Sequence, residues 1–102
     1  MQFPALEQLF GGHLHEDWAD DYTDSLHAVD GFVRGQPSFA PAAPGELVRL
    51  LAECDSEAQL IQALAYLGLV YYPLGDGWRS YRAWALAVAD RLDEALHKSP
   101  AA

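Results

Sequence analysis

Apolar residues in this chain recur at spacings of three and four, segment after segment, with Gly, Pro or a capping residue between the segments. This pattern limits the fold more than any other feature, because only a helix of about 3.6 residues per turn puts such positions on one face. Pro4 suits a first helical turn, and Leu6, Leu9, Phe10 and Leu14 follow along one stripe. Gly11 and Gly12 interrupt that stripe, either ending the helix or letting another element pack close. Thr23 is a candidate N-cap for a second helix that carries Leu26, Val29, Phe32 and Val33 and stops at Gly35.

Residues 36–44 are rich in Pro, Ala and Ser and form a loop, and Pro44 stands where a third helix begins. Its buried face is Leu47, Leu50, Leu51 and Cys54. Ser56 and Gln59 match a capping box for a fourth helix, with Leu60, Ile61, Leu64 and Leu67 inward and Gly68 as its C-cap. Residues 69–73, Leu-Val-Tyr-Tyr-Pro, are strand-like but have no partner to pair with, so they are expected to be an extended linker. Ser80 caps the last and longest helix, in which Tyr81, Trp84, Ala85, Val88 and Leu92 keep the helical period. The expectation is an all-α single domain over residues 1–102, a bundle of about five helices with one short extended linker before the last.

Charge narrows the partners. Fifteen Asp and Glu against six Lys and Arg give a net charge of −9. Such a surface repels nucleic acid and anionic membrane and favours a basic protein partner, although surplus carboxylates also serve solubility alone. The single cysteine, Cys54, allows no internal disulfide. The start of the chain lacks a basic stretch followed by an apolar one, and no apolar run approaches the ~20 residues of a membrane span, so a cytoplasmic location is expected.

The stretch from Leu9 to Tyr22 gathers His13, His15, Glu16, Asp17, Trp18, Asp20 and Asp21. Imidazoles and carboxylates suit metal ions, but a His-x-His spacing points two side chains to different faces of a helix, so no metal site is expected. Catalysis by paired carboxylates needs unlike environments, and a cluster this dense is more often a solvated surface. Neither Ser nor Cys has a nucleophile context, and there is no phosphate-binding glycine loop. No catalytic residue and no cofactor are expected. Tyr and Trp rimmed by charge are typical of protein–protein contacts, and Tyr71, Tyr72 and Trp78, flanked by Pro73 and glycines, are the candidates for exposed contacts. The run 70–72 suits a small self-association patch equally well, so both monomer and oligomer remain open. Trp84, by contrast, has a core position on its helix.

The segment from Leu9 to Trp18, with His15, Asp17 and Trp18 as a His-x-Asp-Trp piece, and the Tyr81-Arg82-Ala83-Trp84 piece resemble the small all-helical immunity proteins of contact-dependent growth inhibition systems. Residues 29–33, 46–51, 56–60, 67–68, 72–73 and 76–77 continue the resemblance over nearly the whole chain. Leu14 departs from it, standing where an aromatic residue is usual, and the 36–44 loop matches no pattern. The resemblance implies a protein, encoded beside a toxin, that binds and neutralises the toxin's C-terminal domain. It further implies that the signature residues His15, Asp17, Trp18, Tyr81, Arg82 and Trp84 are structural, and His15, Asp17 and Trp18 are expected to tie the first helix to the last, with Arg82 as an ionic partner. Many toxins of such systems are nucleases with positive clefts. Glu16, Asp20, Asp21 and Asp24 are then the expected steering surface, and Tyr71, Tyr72 and Trp78 the expected anchors. The alternatives are an acidic helical module or antitoxin-like inhibitor of another protein, and a metal-binding or hydrolytic protein built on His13, His15 and Asp17.

Overall fold

The computed structural model describes residues 3–15, 19 and 22–98. Among the described residues the structure is carried by five α-helices: α1 (Pro4–His13), α2 (Ser25–Gly35), α3 (Ala43–Glu53), α4 (Glu57–Tyr66) and α5 (Tyr81–Lys98). Short 3₁₀ turns at Ala40–Ala42 and Pro73–Asp76 lead into α3 and toward α5. No strand occurs among the described residues, and residues 69–72 lie outside any helix, with the Tyr72 backbone extended. The all-α expectation holds. The helix α5 is the central post, packed against α2, α3 and α4, while α1 lies on α2 and α3.

The stripes read from the sequence converge on one core. Leu6, Leu9 and Phe10 of α1, Val29 and Phe32 of α2, Leu47 of α3, Leu60 and Leu64 of α4, and Trp84, Val88 and Leu92 of α5 are all inaccessible to solvent. Trp84 is the largest of them. Its indole N–H donates to the Ser25 hydroxyl at 3.0 Å, and its ring lies 6.0 Å from that of Phe10 and 5.1 Å from that of Tyr71. Ile61 departs from the expected inward set and is 36% exposed. It stands about 100° round the helix from Leu60, at the edge of the stripe that Leu60, Leu64 and Leu67 define.

Helix ends explain the connections. The N-cap of α2 is Asp24 and not Thr23: its carboxylate accepts the His27 N–H at 2.8 Å, and the helix begins one residue later than expected. That register turns Ser25 inward to meet Trp84. The capping box of Ser56 and Gln59 is present, and the Ser80 hydroxyl accepts the Ala83 N–H at 3.0 Å. Two further caps come from other helices. Glu46 on α3 accepts the Ala5 and Leu6 N–H groups at the start of α1, at 3.0 and 3.1 Å. Glu57 on α4 accepts the Tyr81 and Arg82 N–H groups at the start of α5, at 2.5 and 3.3 Å. Charge-assisted bonds of this kind satisfy orphan helix donors and fix how two helices meet.

The two glycines of α1 do not end it, and the first of them, Gly11, admits a neighbour. Gly68 closes α4 with a φ of +101°, its N–H bonded to the Ala65 carbonyl while the Leu69 N–H reaches Leu64, a Schellman arrangement. A Cβ on Gly68 would lie 2.8 Å from the Gly11 Cα. The chain then runs along the end of α1, with the Val70 N–H donating to the Leu14 carbonyl at 3.1 Å.

On the other side, Arg91 of α5 holds Asp30 of α2 in a two-point contact of 2.9 and 2.7 Å, which keeps the Asp30 carboxyl below the ordinary carboxylate range. A depressed value means that the pair stabilises the fold above the unfolded-state pKa of about 3.9 and loses this contribution as pH falls through the folded value.

Gly68→Ala lowers stability by about 1–3 kcal/mol in thermal denaturation, because the left-handed backbone and the Gly11 contact both oppose a Cβ. Gly12→Ala, where a Cβ meets nothing within 4 Å, is neutral or stabilising. In urea unfolding, Asp30→Asn is less stable than the parent chain near neutral pH, and the difference shrinks as pH falls below about 4 and through the lowered folded value of Asp30. A difference that persists undiminished to about pH 2 contradicts this role for the pair.

Candidate functional site

The carboxylates divide into those the fold uses and those it leaves outside. Glu46, Glu57 and Asp30 are half-buried in the contacts above, and Asp76 accepts the Tyr71 hydroxyl at 2.7 Å. Glu7, Asp24, Glu53, Asp55, Asp90, Asp93 and Glu94 are exposed, against exposed Arg34, Arg49 and Arg79 among the described residues. The negative charge is therefore mainly at the surface. Of the expected steering set, Asp24 is exposed at the start of α2, while Glu16, Asp20 and Asp21 lie outside the described residues.

The aromatic set needs one correction. Tyr71 was expected among the exposed contacts but is 5% exposed, packed on Trp84 and bonded to Asp76. Burial is the main reason its hydroxyl is pushed up to about 12, so it stays neutral and donates. The cause is the alternation of an extended chain: Leu69, Tyr71 and Pro73 face the core, while Val70 and Tyr72, each 58% exposed, face solvent. Two adjacent tyrosines there cannot both point outward. Tyr72 remains on the surface beside Tyr81, at 6.4 Å between rings, and Trp78 is half-buried against the core.

Among the residues the family resemblance marked as structural, Trp84 is the core residue already described. Arg82 sends its guanidinium to the carbonyls of Leu51 and Cys54, at 3.2 and 2.5 Å, so this contact ties α3 to α5. Tyr81 is half-buried, with its N–H held by Glu57. His15 is half-buried, and Asp17 and Trp18 lie outside the described residues. His13 meets the Tyr22 hydroxyl at 2.8 Å through Nδ1 and stands edge-on to Phe32, which accounts for it as a packing residue. No group of three metal-ligating side chains occurs among the described residues. No described helix is long and apolar enough to cross a membrane.

A surface feature that the sequence reading missed lies where α1 begins and α3 and α4 end. A groove of about 470 Å³ has Phe3, Leu50, Cys54 and Leu67 as its buried floor and Glu7, Glu53 and Tyr66 among its exposed margins. Tyr66 is 89% exposed, the most open of the large hydrophobic side chains described. Its position carried a signal: it stands about 120° round α4 from the stripe of Leu60, Leu64 and Leu67, where a polar residue would be ordinary. From Tyr66 the outward side chains continue along the chain through Val70, Tyr72 and Leu74. A second, polar hollow of about 270 Å³ is lined by Tyr22, Thr23, His27, Asp30 and Arg34.

What the arrangement offers is recognition, with acidic and aromatic side chains displayed on a cross-capped scaffold. Neither curated proteins nor solved structures give a match to the chain. A family model described as CdiI immunity protein matches residues 2–92, which takes in all but the last part of α5. The match spans the helical core, the cross-helix caps and the groove together, and the chain belongs to the CdiI immunity protein family.

Proposed function

We propose that this protein acts in the cytoplasm of the producing cell and its siblings, where it binds the C-terminal toxin domain of a contact-dependent growth inhibition effector and blocks it, and that this toxin is a nuclease with a basic cleft. The observation that carries the finer reading is the disposition of charge. Of the described carboxylates, Glu46, Glu57 and Asp30 are bound into the fold, and the exposed remainder gives the protein a strongly negative surface. A nuclease attracts a polyphosphate, and a surface that imitates that charge is steered to the same cleft.

Steering brings the partners together but does not hold them. Long-lived protection needs nanomolar binding or tighter, about −12 kcal/mol, and desolvated aromatic anchors usually supply most of it. Asp24, together with Glu16, Asp20 and Asp21, is assigned to steering. Tyr72 and Trp78 are assigned to contact, and Tyr71, buried on Trp84, is withdrawn from that set.

Calorimetric titration with the C-terminal domain encoded directly upstream tests this reading. The expected result is one-to-one binding at nanomolar affinity or better, with loss of the toxin's nuclease activity and an association rate that falls steeply with added salt. No binding at micromolar concentrations overturns the reading.

A further inference from the structure

We propose that the groove between the start of α1 and the ends of α3 and α4 seats a basic side chain, arginine or lysine, of the toxin domain. This rests on the immunity reading above and names the chemistry of one contact within it.

Three features of the groove fit such an occupant. Its floor is apolar, formed by Phe3, Leu50 and Leu67, and its margins carry the exposed carboxylates Glu7 and Glu53. Arginine and lysine have the complementary form, an aliphatic stem that packs on apolar surface and a charged head that stays at the rim. Tyr66, 89% exposed, stands at the same margin and offers a ring face to a cation. With few torsions to freeze, a tyrosine makes such a contact at low entropic cost.

The end of α4, at Tyr66, adds to the negative potential, whereas the carbonyl end of α3 is already met by Arg82. The chain itself already places guanidinium groups in this neighbourhood. Arg82 binds the carbonyls of Leu51 and Cys54, and the Arg49 guanidinium lies 4.8 Å from the centre of the Phe3 ring. The groove volume, about 470 Å³, is in the range of pockets that enclose a small ligand, so a single long side chain fits within it.

The test is surface-immobilised binding of the upstream-encoded toxin domain to the parent chain, to Glu7→Gln/Glu53→Gln, to Tyr66→Ala and Tyr66→Phe, and to Leu86→Ala. Leu86 is an exposed α5 residue that does not line the groove. The double variant and Tyr66→Ala are expected to bind about tenfold more weakly or worse, mostly through faster dissociation, while Tyr66→Phe and Leu86→Ala stay within about twofold of the parent. Unchanged melting temperatures check that the variants are folded. Tight binding by the parent with no loss in either groove variant overturns the groove assignment alone. Absence of binding by the parent overturns the immunity reading and this inference with it.

Discussion

The burial of Trp84 is the interaction on which the rest of the structure depends. Its indole reaches Phe10 on α1, Ser25 at the start of α2 and Tyr71 in the extended segment, so one side chain on α5 joins three other parts of the chain. Ser25 is the one buried polar residue among those described, and it is the residue that satisfies the indole N–H. A chain of about 100 residues has one core and little redundancy. Truncating a buried tryptophan costs roughly 3–5 kcal/mol, against a typical total of about 5–15 kcal/mol. The register of α2, the inward turn of Tyr71 and hence the outward turn of Tyr72 all follow from filling that site.

Around this core, polar groups work between helices. Glu46 caps α1 from α3, Glu57 caps α5 from α4, and Arg82 returns from α5 to the carbonyl end of α3. Each contact satisfies backbone groups that a helix end leaves open and fixes an inter-helix junction at the same time. This division of labour separates structural acids from surface acids. It also brings the ends of α3 and α4 beside the start of α1, where the groove forms.

Much of the fold was legible in the sequence. Leu47, Leu50, Leu51 and Cys54 line α3 as their spacing demands, and the Ser56 box and Ser80 cap stand where their motifs placed them. Periodicity and capping are local, and a sequence displays local physics directly. Elsewhere, choices between near neighbours went the other way: Asp24 caps in place of Thr23, Ile61 sits at the edge of its stripe, and Tyr71 is inward. The last could have been read from strand alternation, which forbids two adjacent residues from sharing a face. The cross-helix caps and the groove were out of reach, because they join residues as far apart as Ala5 and Glu46. Within the Leu9–Tyr22 stretch, His13 is a packing residue against Tyr22 and Phe32.

On the proposed reading, recognition uses the exposed Tyr66, Val70, Tyr72 and Leu74, together with the acidic groove. Amide hydrogen exchange of the protein alone and bound to its upstream-encoded toxin domain tests that claim most directly. The account predicts that binding slows exchange over residues 66–74 and at the end of α3. Protection confined to the outward faces of α2 and α5, with residues 66–74 unchanged, would contradict it.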